Sequence, residues 1–271
     1  MRIAYPVATE DCVNKARIKG FTEPYAKVFP MLKSLGYEGV ELLVRDPEKV
    51  DVQSLSGLLS ANSLGVAAIG TIPMQADDKL FLIHPDKNNR EEARKRCSGL
   101  LRLCRYFYAP LSIGKYRGMI SDSEGCSMEN MKAVIKDICE EAKSMGVMVM
   151  IEPQNTSNIN NINTLSECAE FIRELDCWNV KIHADIYHMY YTEEDPIESI
   201  RRYGENFGFI HIADSERKNL GTGTIPLHDV MNALNDKGYS GFLSPEIEQI
   251  PDAYTAAKIS AEYMAHGLHS V

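Results

Sequence analysis

The sequence predicts a single-domain α/β protein of the (β/α)8 TIM barrel class, spanning residues 1–271. Three observations predict it. Short Val- and Ile-rich apolar runs alternate with longer amphipathic stretches, the order of a parallel sheet covered by helices. Eight such pairs occur, in a chain close to the roughly 250 residues usual for that barrel. The turn after the first strand, Val7-Ala8-Thr9-Glu10, has no glycine, so the Gly-rich turn of an open dinucleotide-binding sheet is missing.

The first strand is read at 2–6 (RIAYP) and its helix at 24–36, followed by a strand at 38–43 (EGVELL) and a helix at 52–62. The third pair is 65–70 (GVAAIG) with 89–107, and the fourth 110–114 (PLSIG) with 126–145. Then come 147–152 (VMVMIE) with 164–174, 180–185 (VKIHAD) with 196–203, 207–212 (FGFIHI) with 227–236, and 241–246 (GFLSPE) with 252–266. Several helices are entered through Ser, Thr or Asp, which can cap free N–H groups. Leu35-Gly36-Tyr37, Met145-Gly146-Val147 and Lys237-Gly238-Tyr239 place glycine between a helix end and the next strand, where the chain needs a left-handed residue.

Composition narrows the function. The net charge is −9 and no basic run relieves it, which disfavours nucleic-acid binding. The seven cysteines are scattered without a CxxC pair, so reduced thiols are expected rather than a disulfide framework or zinc module. Met1-Arg2-Ile3-Ala4-Tyr5-Pro6 carries no signal-like apolar region, and no window approaches 18 uninterrupted apolar residues. A soluble cytoplasmic protein with no membrane partner is the expectation, and exposed helix faces could support a homo-oligomer.

Barrel active sites are built at the C-terminal ends of the strands. The last four predicted strands end in groups able to hold a metal: Glu152, Asp185, His211 and Glu246, at intervals of 33, 26 and 35 residues. Each interval is about one βα unit, so the four should return to the same rim. One acidic residue at a strand end is more often a cap than a ligand, but four at this spacing form a set. Three carboxylates together would repel unless a cation joined them. Three oxygens and a nitrogen suit one Mn, Mg or Co ion, with Zn also admissible.

His188, three residues past Asp185, can reach the substrate or the metal's surroundings, and Arg217, six past His211, could grip a substrate oxygen. His183 shares the inward face with Asp185 and is expected to be a packed, hydrogen-bonded barrel residue. His84, His228, His266 and His269 fall outside the rim. Gly221-Thr222-Gly223 could cradle a phosphate or simply turn the chain.

These residues resemble the sugar (phosphate) isomerase/epimerase family with a xylose-isomerase-like TIM barrel, close to the ketose 3-epimerases, over nearly the whole chain. The carriers are Gly36-Tyr37-Glu38-Gly39-Val40-Glu41-Leu42, Glu152-Pro153-x-Asn155, His183-x-Asp185-x-x-His188-Met189, His211-Ile212-Ala213-Asp214-Ser215-x-Arg217, and Gly238-Tyr239-x-Gly241 leading to Glu246. The resemblance implies that Glu152, Asp185, His211 and Glu246 bind one divalent metal and that His188 and Arg217 contact substrate. It also implies that Glu152 and Glu246 are acid and base on opposite substrate faces. Ketose 3-epimerases tend to have a second glutamate six residues after the first, where this chain has Asn158. Ketohexose specificity therefore does not follow.

The expected activity is divalent-metal-dependent isomerisation or epimerisation of a small sugar, sugar phosphate or cyclitol through a metal-stabilised enediolate. Two alternatives belong beside it. An endonuclease IV-like phosphodiesterase would draw extra ligands from strands two and three and a DxH pair after strand seven, and those regions hold no histidine at the matching places. A catalytically silent sugar-binding barrel would show no proton exchange.

Overall fold

The computed structural model describes residues 1–269, with side chains as far as residue 267. Eight parallel strands close into a barrel in chain order: β1 (Arg2–Ala8), β2 (Gly39–Leu43), β3 (Gly65–Gly70), β4 (Leu111–Ile113), β5 (Val149–Ile151), β6 (Val180–Asp185), β7 (Phe207–Ile212) and β8 (Phe242–Pro245). Arg2 and Ile3 pair with Phe242 and Leu243, which joins the last strand to the first. The strands are buried almost throughout, as parallel strands covered on both faces must be.

The described helices are α1 (Tyr25–Ser34), α2 (Val52–Ala61), α3 (Ile72–Asp77), α4 (Lys87–Phe107), α5 (Met128–Ser144), α6 (Leu165–Leu175), α7 (Ile186–Thr192), α8 (Pro196–Tyr203), α9 (Leu227–Asp236) and α10 (Ala253–His269). Eight match the predicted helices to within a few residues. The short α3 and α7 were not predicted; each is built into the loop after a strand, where no long apolar period announces it. Asp51, Asp86, Ser127, Thr164 and Asp195 cap α2, α4, α5, α6 and α8 through their side chains, each cap contributing about 1 kcal/mol. Gly36, Gly146 and Gly238 have φ of 90°, 70° and 68°, the left-handed turns the sequence called for.

The core has two parts. A large cluster fills the space between strands and helices. A small one, Ala4, Ala67, Ala68, Met150, Phe209 and Phe242, comes from strands alone and packs the barrel interior. Two residues past Phe209 and Phe242 the interior turns polar, with His211 and Ser244 buried beside Glu41 of β2. This change from apolar to polar positions the site. No helix among the described residues is long and apolar enough to cross a membrane.

Candidate active site

Asp185 ends β6, His211 is the penultimate residue of β7, and Glu152 and Glu246 each stand one residue past β5 and β8. Asp185 and His211 are register partners on neighbouring strands. His211 Nδ1 lies 3.7 Å from Glu152 Oε1 and 3.8 Å from both Asp185 Oδ2 and Glu246 Oε2. All four residues are buried, and Nδ1 has no hydrogen-bond partner. The structure thus brings together the four groups chosen from the sequence, with an orphaned nitrogen facing three carboxylates. That donor set fits a divalent cation, and Asp185, His211 and Glu246 form one of the constellations with ligand atoms close enough to share an ion.

Asp185 serves as a cap with one oxygen and leaves the other turned to the site. Its Oδ1 accepts from the backbone N–H groups of Tyr187 and His188 at the start of α7, while Oδ2 faces the site. Glu152 depends on its neighbours. A Cβ at Gly114 would sit 2.2 Å from Glu152 Oε2, so only glycine leaves the carboxylate room. Gln154 Nε2 donates to that oxygen at 2.6 Å. The fully buried Arg117 donates to the carbonyls of Gly114, Glu152, Asn161 and Ile162 and to Asn161 Oδ1, tying the loop after β4 to the loop after β5.

Burial pushes the Glu246 carboxyl up to about 6, against the pull of Arg217 and His211. Burial would raise Glu152 as well, but the imidazoles of His183 and His211 outweigh it and hold that carboxyl well below its ordinary range. Burial, helped by the neighbouring His211, pushes the His183 imidazole down to about 4. His211 is driven well above the ordinary imidazole value: burial opposes this, and the Glu41 and Glu246 carboxylates prevail. Two carboxyls in one pocket are thus pushed in opposite directions, the arrangement that an acid and base pair needs.

Arg217 Nη2 pairs with Asp185 Oδ2 and Nη1 with Glu246 Oε2, both at 2.8 Å, and its guanidinium lies over the Tyr187 ring. His188 Nε2 is 3.2 Å from Arg217 Nη2 and 3.4 Å from Asn158 Nδ2. Glu216 and Arg217 take φ of 58° and 56°, two consecutive left-handed residues that are not glycine. Such strain persists where surrounding contacts hold it, and here the ion pairs of Arg217 do so. The phosphate-cradle reading of Gly221-Thr222-Gly223 is corrected by Asp214. Its Oδ2 accepts from the N–H groups of both glycines, so those donors are already used in a turn wrapped around a buried carboxylate.

Glu152, His188, His211, Arg217 and Glu246 line a cavity of about 600 Å³, together with Gln75, Lys115, Asn155 and Asn158. His183 reaches it too. As expected it is buried and bonded, with Nδ1 2.7 Å from Ser112 Oγ, but its Nε2 has no partner and it can group with Glu152 and His211 around an ion. Sequence reasoning missed the parts of Glu41, Gln154, Arg117 and Tyr187. Glu41 gave a signal: a lone carboxylate within the otherwise apolar Gly39-Val40-Glu41-Leu42-Leu43. All seven cysteines are unpaired and buried, as the scattered pattern implied.

A closed parallel barrel with carboxylates and imidazole gathered on its C-terminal rim defines a barrel enzyme that works from strand ends. The profile of the Xylose isomerase-like TIM barrel family matches residues 29–266, and the chain belongs to that family. It is 27% identical over 215 residues to a ketose 3-epimerase of Arthrobacter globiformis, covering 77% of this chain and 72% of the relative. It is 28% identical over 222 residues to an L-ribulose 3-epimerase of Mesorhizobium japonicum, covering 79% and 72%. The solved structure of an L-ribulose 3-epimerase superposes with a TM-score of 0.80 at 22% identity, covering 99% of this chain and 95% of that one. The class is that of sugar isomerases and epimerases.

Proposed function

We propose that the protein epimerises or isomerises a small sugar, sugar phosphate or cyclitol by moving a proton on the carbon beside a carbonyl. The observation that carries this reading is the unpartnered His211 Nδ1 among the carboxylates of Glu152, Asp185 and Glu246. One divalent cation, Mn, Mg or Co or else Zn, would be held by those four residues. When bound, it supplies Lewis-acid stabilisation for the negative charge that develops on the substrate oxygens.

The chain's own groups do the rest. Glu152 or Glu246 removes the proton as general base, and the other carboxyl returns one to the enediolate. Return to the opposite face of the same carbon gives the epimer; return to the neighbouring carbon gives the isomer. Arg217 keeps Asp185 and Glu246 in place through its two ion pairs, and His188 at its side offers an imidazole to a substrate hydroxyl. The Arthrobacter and Mesorhizobium relatives support epimerisation of a ketose, while Asn158, beside His188, departs from the ketose 3-epimerase pattern. Against an endonuclease IV-like zinc cluster, β2 and the residue just past β3 bring Glu41 and Thr71 to the cavity rather than histidine.

Metal analysis of the purified protein, followed by incubation in D2O with a panel of ketoses, sugar phosphates and inososes, tests the proposal. One divalent ion per chain and deuterium entering beside a carbonyl are expected. Three zinc ions, or no metal and no exchange, would overturn it.

A further inference from the structure

Glu41 is not among the four groups proposed as ligands, yet it lines the cavity and is only 1% exposed. A buried carboxylate persists only when its oxygens are well partnered. Here both contacts converge on one oxygen. Ser244 Oγ donates to Oε2 at 3.0 Å, and His211 Nε2 stands 2.9 Å from the same atom. A Cβ at Gly70 would lie 3.2 Å from Oε1, so glycine on the neighbouring strand leaves the other oxygen its space.

We propose that Glu41 is a positioning residue: its carboxylate fixes His211 as the tautomer protonated on Nε2, so that Nδ1 presents a lone pair to the cation. This rests on the proposed function. An ionised carboxylate only accepts, and the Ser244 hydroxyl already donates to Oε2, so the proton shared with His211 resides on Nε2. In the neutral ring the other nitrogen is then unprotonated, and the geometry aims it at the three carboxylates. β2, β7 and β8 each supply one member of this frame, so the orientation of the imidazole is set across the barrel. Removing a partner of this kind weakens metal binding about 10–100-fold in well-studied sites.

The test compares wild type, Glu41→Gln, Glu41→Asp and Ser244→Ala. Mn(II) and Zn(II) affinity is measured by chelator competition, circular dichroism checks folding, and ¹⁵N–¹H spectra of the zinc form read the His211 tautomer. Glu41→Gln should lose affinity about 10–100-fold, with Ser244→Ala losing less and Glu41→Asp recovering part. The wild-type spectrum should show the proton on Nε2. Wild-type affinity in a folded Glu41→Gln, or a proton on Nδ1 in wild type, would overturn the role of Glu41 alone. If Glu41→Gln does not fold, the spectrum of wild type and the affinity of Ser244→Ala decide. A wild type that binds neither ion would overturn the metal reading beneath it as well.

Discussion

At the scale of single residues, the site concentrates negative charge that the fold alone does not require. Glu246 lies on the rim, one residue past β8. Its carboxylate answers Arg217 and shares His211 Nδ1 with two other carboxylates. Glu246→Gln keeps the shape and removes the charge and the transferable proton. General acid and base groups are worth about 10²–10⁴ in rate, so turnover should fall at least that far. Stability should move little, because the substitution relieves like-charge crowding while costing Arg217 one partner. A Glu246→Gln variant with normal steady-state activity would remove Glu246 from the proposed chemistry. The residues that the sequence exposed most clearly were these strand-end groups, because their type and spacing both carry information. Arg117 and Gln154 were hidden: they act by bonding to backbone carbonyls or to another side chain brought near by folding, and no local spacing encodes such partners.

At the scale of elements, the site is held by loops after strands, and one ion cluster ties the loop after β2 to the loop after β3. Asp78, just past α3, accepts from Arg45 beyond β2 at 2.7 Å and from Arg96 of α4 at 2.6 Å. Burial would raise its pKa, but the hydrogen bonds from Arg45 and Arg96 prevail and hold it below its ordinary value of 3.8. A carboxyl with a depressed folded pKa contributes stability that is present above the unfolded value and lost as pH falls through the folded one. Asp78→Asn should therefore cost about 1–2 kcal/mol at pH 7. The gap to wild type should close in acid, at and below the lowered pKa. Urea unfolding at pH 7 and in a series below pH 4 reads both; an equal gap throughout would contradict this linkage. Elements of this kind mark where the sequence was least legible. α3 and α7 are six and seven residues long, too short for a period to register, yet α7 presents His188 and lays Tyr187 under Arg217.

For the whole molecule, the eight βα units were legible because parallel strands buried on both faces leave continuous apolar runs and the connecting helices leave amphipathic ones. Strand ends were less so: Glu152 and Glu246 read as the last residues of strands but stand one residue outside them, their N–H groups still donating to the carbonyls of Ile113 and Ile212 on the neighbouring strands. The closure of the barrel has a thermodynamic consequence. The four proposed ligands come from β5, β6, β7 and β8, half of the ring, and the unfolded chain scatters them. An ion that binds only the folded barrel stabilises it by about 2.7 kcal/mol at a hundred times its dissociation constant. In a domain of this size that is a rise in melting temperature of roughly 5–10 °C. Melting should shift upward on adding Mn, Mg, Co or Zn to chelator-treated protein and return on adding chelator. Because Asp185→Asn and His211→Gln remove donors without opening the apolar interior beneath, both variants should melt close to metal-free wild type and respond weakly to the ion. An upward shift of wild-type size in both variants would place the bound ion elsewhere on the protein, and no shift in wild type with any of the four ions would leave the carboxylate cluster balanced by Arg217 and His211 alone.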